Sequence, residues 1–116
     1  MSTVKTADLT ELKSLAAPPQ DVKSILHAVV LLLGYPEKLA SNWKFVRKVM
    51  VHKGEQGMMH GMEHFDAKKV SKVSAVKARA LLDSLNVERV KQVSRASVSF
   101  LLWAKSHLEE VEAAVI

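Results

Sequence analysis

Apolar residues recur along this chain with helical spacing almost throughout, and no stretch sustains the two-residue alternation of a half-buried strand. Val4, Leu9, Leu12 and Leu15 or Ala16 form one stripe, which predicts a first helix over residues 3–17. Pro18-Pro19 interrupts it. Proline lacks an N–H and disfavours helix in the residue before it, so the break is expected near Ala17. Pro19 suits the first position of a second helix, 19–33, because its missing N–H costs nothing there. Val22, Ile25, Leu26, Val29, Val30, Leu32 and Leu33 give that helix the clearest amphipathic pattern in the chain. Gly34 is a natural C-cap, and Tyr35-Pro36 prevents continuation.

Asn42 is placed to cap a short third helix containing Trp43, Val46, Val49 and Met50. Gly54, Gly57 and Gly61 surround a Met-rich segment, 57–64, which reads as a turn. Asp66 then caps a helix predicted from 67 to 83, and Asn86 opens another short one. Residues 95–114 form the last long helix, with Val98, Leu101, Leu102, Leu108 and Val111 on its apolar stripe. The expected fold is all-α, a compact bundle of about six helices. The first and last helices are suited to pair antiparallel and project together, though each is too short to stand as an independent coiled coil. At 116 residues the chain fits one domain.

Composition narrows the chemistry. Apolar residues make up 48% of the chain, enough for a real core. Cysteine is absent, which excludes disulfides, thiolate metal sites and a cysteine nucleophile. The longest apolar run, 28–33, is too short to span a bilayer, and the N-terminus lacks a signal-peptide pattern. A soluble, intracellular protein is expected. The net charge is +5, and residues 38–95 carry thirteen Lys and Arg against five Asp and Glu. A cationic middle on polar ends implies an acidic macromolecular partner: nucleic acid, an anionic membrane or an acidic protein.

Several landmarks resemble one family. The run Glu11-Leu12-Lys13-Ser14-Leu15-Ala16-Ala17-Pro18-Pro19, followed by Val22 and residues 29–34, is similar to a junction in dynein heavy chains. There the outgoing stalk strand meets a Pro-Pro and enters the first helix of the tubulin-binding globule. Asn42-Trp43-Lys44 with Arg47 resembles that family's next helix, and Phe65-Asp66 resembles a later helix start. Ser94-Arg95-Ala96-Ser97 resembles the opening of its final helix. The similarity runs in order from Glu11 to Val111. Two departures stand out. Met58, Met59 and Met62 occupy positions where the family has an aromatic and branched aliphatics, and the segment between Phe65-Asp66 and the final helix is short. Trp103 falls where axonemal dyneins carry a tryptophan, which favours a ciliary or flagellar heavy chain over a cytoplasmic one.

The resemblance implies the microtubule-binding tip of a dynein stalk. Residues 1–17 would end the outgoing stalk helix, 18–95 would form the globular tip, and 96–116 would lead into the returning helix. By the same resemblance Lys23, His52, Lys53, Lys91 and Arg95 face tubulin, and Pro18 and Pro19 form the joint that transmits sliding of the stalk helices; His27, at i+4 from Lys23, is placed to contribute when protonated. Some outer-arm heavy chains of this family also carry a leucine-rich-repeat light chain at the tip. No cofactor, metal or membrane is implied. Catalysis would lie elsewhere on a larger polypeptide, of which this chain is an excised segment, and the setting is the cytoskeleton, axonemal in preference to cytoplasmic.

Plainer readings stand beside these. Lys68, Lys72 and Arg79 fall within about 40° on one helix face, a solvated surface by default and a tubulin contact otherwise. His60 and His64 have i, i+4 spacing suited to zinc, without a carboxylate or thiolate set to complete a shell. The methionines read as adaptable core filling, and Trp43 and Trp103 as core anchors. No glycine-rich phosphate loop or Ser/His/Asp spacing is visible. The rival functions are a helical nucleic-acid-binding module, for which helix-turn-helix spacing and stacking aromatics are lacking, and a helical adaptor that binds only proteins.

Overall fold

A computed structural model describes residues 6–52, 54 and 57–114. The described residues form eight α-helices: α1 (Thr6–Lys13), α2 (Gln20–Leu32), α3 (Glu37–Ala40), α4 (Trp43–Val51), α5 (Met58–Glu63), α6 (Lys72–Asp83), α7 (Val87–Val93) and α8 (Arg95–Ala114). A single 3-10 turn (Ala67–Lys69) precedes α6. Six of the helices have seven residues or more and no strand occurs among the described residues, so the chain is all-α as its periodicity predicts.

The apolar run in the second helix dictates the packing. Nine of the 13 residues of α2 are buried, and a helix with so wide an apolar face must be covered along most of its circumference. The jacket is α6 and α8 on its long sides, with α3, α4 and α7 completing it. From α8 the core takes Phe100, Leu101, Trp103, Ala104, Leu108 and Val111. Helix α1 packs on α8 and α4 through Leu9 and Leu12, and the Ser99 hydroxyl donates to Asp8 Oδ2 at 2.9 Å between α8 and α1. Arg79 on α6 reaches Glu112 on α8 with two donors, Nε to Oε2 at 3.0 Å and a second guanidinium nitrogen to Oε1. No helix is long and apolar enough to cross a membrane among the described residues.

Local end signals operate where the residues predict them. Gly34 has φ +100, the left-handed conformation that glycine adopts without strain. Its N–H bonds the Leu31 carbonyl and that of Tyr35 bonds Val30, a Schellman closure of α2. The Asn42 side chain accepts from Lys44 N at 3.0 Å to start α4, and Asn86 accepts from Arg89 N at 3.2 Å to start α7.

Six expectations change. The first helix ends at Lys13, four residues before Ala17, and Val4 lies outside the described residues. Pro19 is the N-cap of α2 rather than its first residue. Pro36 opens a one-turn helix, α3, and the Met-rich segment is helical as α5, with Met58 and Met62 in the core. The helix expected over 67–83 is broken, because two caps compete. Asp66 accepts from Lys68 N at 3.0 Å and winds only the 3-10 turn, while Ser71 accepts from Ser74 N at 3.1 Å and starts α6. Lys68 therefore shares no helix with Lys72 and Arg79. Leu102 is half exposed, since Leu101 and Leu108 on the adjacent face point inward.

Phe100 is the largest fully buried side chain. Phe100→Ala is expected to lower unfolding free energy by about 3–5 kcal/mol, read from urea denaturation; a loss below about 1 kcal/mol would mean that α8 does not seal the core as described.

Candidate functional site

The residues expected to face a partner fall into three places. The first is the outer face of α2. Lys23 is exposed there and forms no ion pair among the described residues. His27, one turn on, turns toward α3 instead, its Nε2 2.8 Å from Glu37 Oε2 with the imidazole only 17% exposed. Glu37 also lies 3.9 Å from Lys77 Nζ. Between α2, α3 and α4 is a small cleft of about 150 Å³ lined by Gln20, Lys23, Ser24, His27, Ser41 and Trp43, among others.

The second place is the junction of α7 and α8. Lys91 and Arg95 are both exposed and line one open groove of about 610 Å³ with Glu88, Gln92 and Val98. Lys91 pairs loosely with Glu88 at 3.5 Å, one turn back, and Arg95 makes no ion pair among the described residues. The groove continues along α8 past Leu102 and Trp103 to His107. Trp103 stacks on His107 at 4.2 Å and meets the edge of Phe65 at 5.2 Å, which makes it a core anchor. Arg89, which no sequence motif singles out, bridges the first two places through a 3.2 Å pair with Asp21 at the start of α2.

The third place is the turn after α4. His52 is the C-cap of α4 and exposed, with its Nδ1 accepting from Gly54 N at 3.0 Å. Lys53 lies outside the described residues. Gly57 closes the turn: a Cβ there would sit 2.0 Å from the His52 carbonyl oxygen, so only glycine permits that approach. Pro18 and Pro19 lie in the non-helical link between α1 and α2.

Not every basic residue contributes to a cationic surface. Arg79 is engaged by Glu112 and by Asp83 at 3.4 Å. Hydrogen bonds from Arg79 hold the Glu112 carboxyl below the usual carboxylate range, against a smaller opposing effect of burial, and raise the pKa of the guanidinium in turn. The rings of His60, on α5, and His64, its C-cap, lie 4.2 Å apart. No group of three or more His, Cys, Asp and Glu suited to a metal ion occurs among the described residues.

Against known proteins, no family model matches the chain. It is 30% identical over 113 residues to cytoplasmic dynein 2 heavy chain 1 of Caenorhabditis elegans, covering 94% of this chain and 3% of that protein. It is 31% identical over 108 residues to the cytoplasmic dynein heavy chain of the same organism, covering 90% and 2%. To dynein axonemal heavy chain 10 of Homo sapiens it is 26% identical over 102 residues, covering 86% and 2%. The chain is thus homologous to a segment of dynein heavy chains along roughly nine-tenths of its own length, and it spans 2–3% of the length of these relatives. Cytoplasmic and axonemal names both occur among them.

Two outcomes follow from these contacts. Because the folded Glu112 pKa is depressed, its pairing stabilises the fold above the ordinary glutamate value of about 4.3 and is lost as pH falls through the folded value. The difference in urea midpoint between wild type and Glu112→Gln should be present at neutral pH, shrink with salt, and vanish in acid; a difference that persists in acid would contradict the ion pair. Gly57→Ala should move the backbone NMR signals of His52 and Gly54 while leaving α8 signals in place, and unmoved turn signals would contradict the close approach.

Proposed function

We propose that this chain binds microtubules as the tip of a dynein stalk, through exposed cations on α2 and at the α7–α8 junction. The observation that carries the reading is the placement of Lys23 and Arg95. Both are exposed and free of ion pairs among the described residues, in a chain homologous along its length to dynein heavy chains. Helix α2, which carries Lys23, packs directly on α8, which carries Arg95, and Arg89 of α7 adds a pair to Asp21 of α2, so the cations sit on one packed unit. Lys91 adds to the α8 end, and His52 with Lys53 to the turn after α4.

The energetics suit a releasable grip. An exposed ion pair contributes about 0–1 kcal/mol, so no single lysine can hold a motor. Several on one surface produce steered encounter and strong salt sensitivity. In this reading α1 and α8 are the bases of the two stalk helices, and their relative register sets how firmly the surface grips. The chain itself catalyses nothing, and ATP hydrolysis belongs to other parts of a heavy chain. The setting is the cytoskeleton, with Trp103 as the residue that favours an axonemal one.

Lys23→Glu and Arg95→Glu should each weaken microtubule cosedimentation by about threefold to tenfold, with unchanged circular dichroism. Undiminished binding by both variants removes them from the site. Tight duplex-DNA binding in the same assay, without microtubule binding, would replace tubulin by nucleic acid as the partner.

A further inference from the structure

The end of α1 has an unusual solution to a common problem. In a helix continuing past Lys13, the Ala17 N–H would close the Lys13 carbonyl, and the N–H of residue 19 would close that of Leu15. Pro19 has no N–H, and Pro18 disfavours helical backbone at Ala17. The Pro-Pro therefore leaves the carbonyls of Lys13, Ser14 and Leu15 without a helical donor. Those of Lys13 and Leu15 are filled from α4, across 34 and 28 residues of chain. Arg47 Nε donates to the Lys13 carbonyl at 3.1 Å, and the Trp43 indole N–H donates to that of Leu15 at 2.9 Å. The two donors are one turn apart on α4 and so share a face. Arg47 also brings a positive charge to the negative end of the α1 dipole.

Helix α4 is thereby attached at both ends. Its first two turns grip the end of α1, and its C-cap is His52, in the turn that Gly57 holds tight. Nine helical residues make it a strut of about 13 Å. The covalent route from α1 into the bundle, residues 14–19, has no helical backbone to carry an axial displacement, and α8 meets α1 side by side.

We propose that Trp43 and Arg47 are positioning residues: a carbonyl clamp that couples the axial position of α1 to the C-terminal end of α4, at His52 and Gly54. Pro18-Pro19 then serves to leave the two carbonyls open for the clamp, and the displacement travels through α4. The effect on affinity rests on the microtubule reading, whereas the coupling between α1 and the turn does not.

The test uses Trp43→Phe, which keeps an aromatic ring but loses the N–H, and Arg47→Met, which keeps the length but loses the donor. In the double variant, circular dichroism should be unchanged while amide exchange at Leu12 and Lys13 speeds up. The backbone signals of His52 and Gly54 should move, and microtubule affinity should fall at least about threefold, because the turn is no longer preorganised. Arg47→Lys should restore most of the affinity lost with Arg47→Met. If α1 loosens while His52 and Gly54 stay put, the clamp is local and the proposal is overturned; unchanged affinity despite moved signals overturns it equally. If the wild-type chain ignores microtubules but the turn signals still follow the clamp, the coupling stands and the tubulin reading falls.

Discussion

The burial of α2 is the constraint on which the structure rests. Val22, Ile25, Leu26, Val29 and Val30 are fully buried, and so wide an apolar face must be covered, leaving only a narrow polar strip with Gln20 and Lys23 in water. Enclosing it requires the long α6 and α8 and the short α3, α4 and α7 around it. Once they are in place, the N-terminal turns of α2 and the start of α8 come within reach of one another through α7, by way of Arg89 and Asp21. The polar surface is what this packing leaves outside.

That surface sorts its charges into two kinds. Arg79, Asp83 and Glu112 consume one another in tying α6 to α8, and His27 and Lys77 approach Glu37 beside α3. Among the described residues Lys23 and Arg95 are left without an ion pair, as are exposed lysines such as Lys44, Lys48 and Lys72. A surplus of positive charge kept apart from structural ion pairs is suited to an acidic partner, and pairs made in high dielectric can be broken as readily as made. On the proposed reading, in which the chain grips and releases a polymer, that weakness is useful.

The sequence was most legible where a single residue acts on its own neighbourhood. Asn42, Asn86 and Gly34 each end or begin a helix through bonds to residues within five positions, and each operates as its identity predicts. Legibility failed where two local signals compete, as with Asp66 and Ser71, or where the deciding partner is distant. Nothing near Lys13 announces that α1 stops there, because the groups that satisfy its last carbonyls are Trp43 and Arg47. Trp43 was read as a core anchor, yet its indole N–H is the informative atom. Of the proposed surface, the structure shows only that Lys23, Lys91 and Arg95 are exposed, while the orientation of His27 toward Glu37 depends on α3, a one-turn helix that periodicity does not reveal.

The central claim, that uncommitted cations on a rigid helical knob meet an acidic polymer, is tested most directly by cosedimenting the wild-type chain with microtubules across a salt series. Binding at low ionic strength that weakens roughly tenfold between about 50 and 200 mM salt is the predicted result. No binding at the lowest salt, or binding indifferent to salt, would contradict it.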